Sequence, residues 1–307
     1  MSDAIVIERL TKHYGPRRVV DSVNLRIPTG CVYGLLGRNG AGKSTLIKML
    51  MGMVHQDSGR ATLLGNDTRA LTPETRARVA YLAEGHPLYR WMSVGEAVRF
   101  TRGFYTVWHS QYLDEILDYF AIARSAKIGK LSNGQRAQVS LALALAPDPE
   151  LLILDDPTLG IDTVVRRELL ESIIHLIQRS GRTILFSSHI LGDVERVADR
   201  VGVMSGGVLR ADCPTEHFTR SLKRVVLEFI GSVPRFPATI GLVNQRQIGG
   251  KLELIFVDYS REHAELCEGL GPVNIEVLDM NLEDAFIAYT RGEVRAMPVF
   301  EPETAPC

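Results

Sequence analysis

The sequence predicts an α/β fold with a mainly parallel sheet, followed by a smaller α+β domain. Three observations carry this. Short apolar runs at residues 32–36, 151–154 and 183–186 have the length of strands buried on both faces. Helical periodicity separates them, so strand and helix alternate along the chain. A glycine-rich turn at residues 37–44 joins the first of these runs to a helix.

Taken in order, residues 4–10 read as a strand, and Val19, Val23, Leu25 and Ile27 continue a two-residue alternation. Residues 45–53 have helical periodicity, with Gly52 near the end. Thr72-Pro73 is a helix start, with Thr as cap and Pro in the first helical position. Residues 79–82 make a short strand. Ser93-Val94-Gly95-Glu96 is a capping box, and helices run on through Phe120. Residues 135–146 form a helix that Pro147 stops, residues 165–180 another, residues 183–187 a strand and residues 191–200 a helix.

Beyond about Arg220 the texture changes. Strands at 225–230, 252–257 and 273–278 flank a helix at 261–269, and Asn281 caps a last helix at 281–289. This is the α+β domain, residues 221–296. Residues 297–307 carry Pro298, Pro302 and Pro306 and read as a disordered tail.

The chain has 307 residues, about two domains' worth. Its 35 Lys and Arg against 36 Asp and Glu leave a net charge of −1, without the basic excess of a general nucleic-acid binder. No nucleic-acid partner is expected. No apolar stretch approaches the roughly 18 residues of a membrane span. Residues 1–10 alternate apolar and charged, unlike a signal peptide. Cys31, Cys213, Cys267 and Cys307 are scattered, so neither a zinc site nor a disulfide framework is indicated.

Gly37-Arg38-Asn39-Gly40-Ala41-Gly42-Lys43-Ser44 fits G-x-x-x-x-G-K-[ST] between a strand and a helix. The glycines let backbone N–H groups converge on phosphate oxygens, and the helix N-terminus adds positive potential. Lys43 would reach the outer phosphates as a point charge, and Ser44 would offer its hydroxyl to Mg²⁺. No Asn-Lys-x-Asp guanine-reading motif occurs in the sequence. The run 151–154 ends in Asp155-Asp156, at the strand end where ligands bind in such sheets. Asp155 is then placed for Mg²⁺ and Asp156 for the attacking water, although Asp-Asp before Pro157 also reads as a helix cap. Ser132-Asn133-Gly134-Gln135 precedes a helix and offers a second set of N-terminal donors. Alone it reads as a routine cap. His189 follows the strand at 183–187 and would reach a terminal phosphate.

In this set and order, residues 5–220 resemble the nucleotide-binding subunits of ABC transporters. The resemblance implies a P-loop NTPase core with a mainly parallel sheet, an antiparallel β subdomain and a helical subdomain at about 85–146. It implies ATP and Mg²⁺ as cofactors. Gly37 to Thr45 then match the Walker A loop, Tyr14 the aromatic that stacks on adenine, and Leu131-Ser132-Asn133-Gly134-Gln135 the family signature. Asp155 matches the Walker B aspartate, Asp162 the D-loop aspartate and His189 the switch histidine. Two such domains close head to tail over two ATP molecules, so Ser132 and Gly134 act in trans on the partner's nucleotide.

Two positions depart from that pattern. Asp156 stands where most members carry a catalytic Glu, one methylene longer, and a misplacement of about 1 Å costs on the order of a hundredfold in rate. Slow hydrolysis is the expectation. Glu84 stands where a Gln is common, a variant seen among export-type members.

Seven of the 21 aromatic residues, including both Trp, fall between Tyr89 and Tyr112. They read as the core of a helical subdomain, and by resemblance as a groove for a helix of a membrane permease. Asn281-Leu282-Glu283-Asp284-Ala285-Phe286 is similar to the C-terminal extension of subunits serving export-type (ABC-2) permeases.

The leading reading is therefore a cytoplasmic ATPase subunit. It binds MgATP, pairs with a second copy and powers a separate permease at the membrane's cytoplasmic face. The alternatives are an ATP-driven dimerisation switch with little hydrolysis and a soluble ABC ATPase outside transport.

Overall fold

The computed structural model describes residues 2–178, 181–280 and 282–290. Asn281 as a cap and the 297–307 tail lie outside those residues. The chain opens with β1 (Asp3–Tyr14), β2 (Arg17–Pro28), β3 (Val32–Gly37), α1 (Lys43–Leu50), β4 (Ser58–Leu63) and β5 (Asn66–Asp67). Then come α2 (Pro73–Ala77), β6 (Val79–Leu82), α3 (Val94–Arg102), α4 (Ser110–Tyr119), α5 (Asn133–Leu145), β7 (Leu151–Leu154) and α6 (Thr163–Gln178). Next are β8 (Thr183–Ser188), α7 (Leu191–Val197), β9 (Arg200–Ser205), β10 (Val208–Pro214) and α8 (Thr215–Arg220). The last elements are β11 (Leu222–Glu228), β12 (Leu242–Ile248), β13 (Lys251–Val257), α9 (Arg261–Glu268), β14 (Asn274–Asp279) and α10 (Leu282–Thr290).

Three sheets result. The first, in order β2-β1-β4-β5, is antiparallel. Val23, Leu25 and Ile27 are buried while Asn24 and Arg26 are exposed, so one face of β2 meets the core and the other meets water. The central sheet runs β10-β9-β3-β8-β7-β6. All its pairs are parallel except β9 with β10. β3, β7 and β8 are buried along their whole length, the pattern of strands covered on both faces. The third sheet, β12-β13-β11-β14, is antiparallel.

The cores do not divide where the sequence texture does. The third sheet has its own apolar cluster, including Val225, Leu227, Phe236, Leu254 and Phe256. Yet Ala285, Phe286 and Ala288 of α10 belong to the main cluster, with Val194, Val201, Val203 and Phe218. Burying a side chain the size of Phe286 contributes about 1.5–3 kcal/mol. On its other side α10 is tied to β11 by an Asp284–Arg224 ion pair of 3.3 Å.

The expected helix at 191–200 ends at Val197. Ala198 is already extended, and Arg200 starts β9, where it pairs with Asp212 of β10 at 2.9 Å. The helices expected through Phe120 are α3 and α4, separated at Gly103, which caps the C-terminus of α3.

Candidate functional site

The C-terminal ends of β3, β7 and β8, adjacent in the central sheet, converge on one place. From β3 the chain enters the loop of Gly37, Arg38, Asn39, Gly40, Ala41 and Gly42 and then α1. Gly42 caps α1 with φ 105° and no side-chain hydrogen bond, so the first N–H groups of the helix remain available to an anion. A Cβ at Gly42 would lie 2.4 Å from the Val19 carbonyl oxygen, so only glycine fits.

Lys43 is 7% exposed, and its Nζ donates to the Gly37 carbonyl at 2.7 Å. Burial pushes its pKa down, against the pull of the nearby Asp156, Asp155 and Glu84 carboxylates. Glu84, two residues beyond β6, is exposed but close enough to act on that charge.

Asp155 is where the three strands are stitched together. Its Oδ1 accepts from Ser44 Oγ at 3.0 Å and from Ser187 Oγ at 2.9 Å. Its Oδ2 is buried with no hydrogen-bond partner among the described residues. Leaving a buried carboxylate oxygen unpaired is costly, which marks it as a place for a cation. Mg²⁺ takes one or two carboxylates and a hydroxyl together with phosphate oxygens and water, so Ser44 and Asp155 fit it.

Asp156 follows in the left-handed region, φ 45°. Its N–H donates to Ser187 Oγ at 2.9 Å, and its Oδ2 lies 2.7 Å from His189 Nδ1. A carboxylate only accepts, so the proton in this bond sits on Nδ1. The departure from Glu has a backbone reason here. Asp tolerates the left-handed region better than Glu, because its short side chain bonds locally.

The structure also brings in residues that the sequence reading did not assign. Ser187 bridges Asp155 and the Asp156 backbone. His86, 4% exposed and at φ 51°, points Nε2 at the Pro157 carbonyl at 3.0 Å. Burial lowers the His86 pKa, and because the Pro157 carbonyl can only accept, Nε2–H is the donor. His86 thus ties the segment after Glu84 to the turn carrying Asp156. No motif or spacing marked it.

The signature residues stand apart from this cluster. Ser132 caps α5 in a capping box with Gln135: Gln135 N–H donates to Ser132 Oγ at 3.1 Å, and Ser132 N–H to Gln135 Oε1 at 3.0 Å. Asn133 Nδ2 donates to the Gly160 carbonyl at 3.1 Å, and a Cβ on Gly134 would strike Val165 at 2.5 Å. Asp162 accepts from Val165 N–H at 3.1 Å at the start of α6. No described hydrogen bond joins Ser132, Asn133, Gly134 or Gln135 to the loop of their own chain. Tyr14 is 51% exposed at the end of β1, with Lys12 Nζ 5.7 Å from its ring centre.

Residues 20–159 match the model of the ABC transporter family. The Nod factor export ATP-binding protein I of Sinorhizobium fredii is 31% identical over 303 residues, covering 95% of this chain and 87% of that protein. The chain belongs to the ATP-binding subunits of ABC transporters. The sulfate/thiosulfate import ATP-binding protein CysA of Salmonella typhi is 33% identical, covering 77% of this chain and 68% of its own. A solved ATP-binding subunit of an ABC transporter has the same fold, with a TM-score of 0.64 at 26% identity over 70% of this chain and 91% of the other.

As an ABC ATP-binding subunit the chain binds ATP with Mg²⁺, hydrolyses it and powers a membrane permease. No helix among the described residues is long and apolar enough to cross a membrane.

Proposed function

We propose that two copies of this chain close over two MgATP molecules at the cytoplasmic face of a membrane and drive an export permease. The observation that carries the chemistry is the convergence of Ser44, Ser187 and Asp155 beside buried Lys43, with Asp156 held against His189. Gly37, Arg38, Asn39, Gly40, Ala41, Gly42, Lys43, Ser44 and Thr45 form the phosphate cradle, and Tyr14 stacks on adenine. Lys43 neutralises the outer phosphates. Ser44 and Asp155 would hold Mg²⁺, which would supply positive charge against the phosphates. Asp156 orients and deprotonates the attacking water. His189, aimed by Asp156, contacts the terminal phosphate through Nε2, and Glu84 orients water from the opposite side. The short reach of Asp156 makes hydrolysis slow.

Each chain carries one phosphate loop, and its own exposed Ser132 makes no described hydrogen bond to that loop. Ser132, Asn133, Gly134 and Gln135 therefore serve the partner's nucleotide, and Asp162 lines the same seam. A pair of identical chains supplies two complete sites.

The permease side is the aromatic surface of the helical segment, about residues 85–146. Trp91 is 69% and Phe104 72% exposed, and Tyr89, Trp91, Phe100 and Phe104 form a chain of ring contacts 5.2–5.9 Å apart. Exposed aromatics are favoured anchors for a partner helix. We place the ATPase unit at residues 1–220 and the accessory domain at 221–296. The relative named for export spans 95% of the chain, against 77% for the one named for import, which supports the export reading.

The test is steady-state ATP turnover by the purified chain, with capture of a multi-span membrane protein from solubilised membranes. Lys43→Ala abolishes turnover, and Trp91→Ala lowers capture while leaving nucleotide binding intact. Full turnover by Lys43→Ala overturns the site, and undiminished capture by Trp91→Ala overturns the docking surface.

A further inference from the structure

A cavity of about 710 Å³ lies beside the phosphate loop. One wall is made by residues 38–41, a second by His189 and residues 204–206, and a third by Phe286 and Ile287 of α10. Lys43, Ser44, Asp155 and Tyr14 do not line it; it adjoins the nucleotide cradle, sharing residues 38–41 and His189 with it. Its character is mixed. Phe286, Ile287 and Met204 are apolar, whereas Arg38 and Asn39 are exposed, neither side chain having a hydrogen-bond or ion-pair partner among the described residues.

The same chain carries a matching outcrop. Asn133 is bonded to Gly160, so the α5 start and residues 160–162 form one surface. That surface offers half-buried Ile161 and the exposed Asp162, whose carboxylate also accepts from Val165 N–H. An apolar group beside an acid complements an apolar wall beside Arg38.

We infer that α10 is part of the contact between subunits: residues 160–162 of a second copy seat in the cavity between the phosphate loop and Phe286–Ile287. This rests on the paired-subunit reading above. It adds that the last helix of the chain, anchored to the third sheet through Asp284–Arg224, borders the seam. The accessory domain then touches the closing step directly, and a shift of α10 changes how the partner enters.

The full chain is studied with Asp156→Asn, which slows turnover, and its dimerisation with MgATP is followed by light scattering. Adding Ile287→Glu raises the dimer dissociation constant at least ~10-fold, because a carboxylate is buried in the seam. MgATP affinity of the monomer stays within about twofold of the parent. Unchanged dimerisation overturns the inference. So does an equal loss of monomer affinity, because the helix edge would then act on its own cradle. A parent that never dimerises with MgATP overturns the paired-subunit reading, and this inference with it.

Should Ile287→Glu not fold, a mixture of Ile287→Cys and Ile161→Cys chains is treated with a short bismaleimide. MgATP-dependent cross-linking in the mixture, above that of either variant alone, supports the seat. Its absence overturns it.

Discussion

Replacing Asp156 by Asn separates its chemical role from its structural one. Asn tolerates the left-handed backbone as Asp does, so the turn at φ 45° is kept. The amide can still meet His189 Nδ1, now 2.7 Å from the carboxylate, and the backbone bond to Ser187 does not depend on the side chain. Only the ability to take a proton is removed. A general base contributes about 10²–10⁴-fold, or roughly 2.7–5.5 kcal/mol of barrier. Phosphate release in steady state and in single turnover reads that loss, and a fluorescent nucleotide reads affinity, which is expected within about twofold. Asp156→Glu tests the other half of the argument. It restores the missing methylene and raises kcat, while forcing a longer side chain into the left-handed region lowers stability by about 1 kcal/mol. If Asp156→Asn turns over as fast as the unmodified chain, Asp156 is not the base and the account of slow hydrolysis is wrong.

Other consequences are open to measurement. His86→Ala strands the buried Pro157 carbonyl and costs about 1–3 kcal/mol of stability by denaturant titration. As a positioning change it lowers kcat with little effect on KM, and a kcat equal to that of the unmodified chain would exclude the linkage. Burial depresses the Lys43 pKa in the free site, whereas bound phosphates favour its charge. MgATP affinity is therefore flat at lower pH and falls as pH rises through the depressed pKa, with proton uptake on binding at alkaline pH. Calorimetry in buffers of different ionisation heat checks the sign. Ser132→Ala removes the α5 cap, worth about 1 kcal/mol, and weakens ATP-dependent pairing beyond that loss, whereas monomer affinity for MgATP is preserved.

The site could be read from the sequence wherever spacing follows from local geometry. The phosphate loop needs its glycines in a fixed frame, because Gly42 lies against the Val19 carbonyl and Lys43 must turn back to the Gly37 oxygen. Asp155 was legible because an apolar buried strand ends in a carboxylate. Ser187 and His86 were not, because their roles come from partners 32 and 71 residues away. The strands β9 and β10, at one side of the central sheet, were also missed. Their order depends on pairing across the sheet, and Arg200–Asp212 links two segments that look like loop and helix end in isolation. Asp156 looked like a departure from the usual residue in sequence. Its φ of 45° gives that departure a backbone cause.

The rooting of α10 in the main cluster sets a limit on trimming the chain. Cutting after Arg220, where the sequence texture changes, strips Ala285, Phe286 and Ala288 from Val194, Val201, Val203 and Phe218. The shortened protein would keep every ligand-facing group and yet carry a raw greasy scar beside α7 and β9. Such a scar invites self-association, so any loss of function after truncation reports wounded packing before it reports a missing regulator.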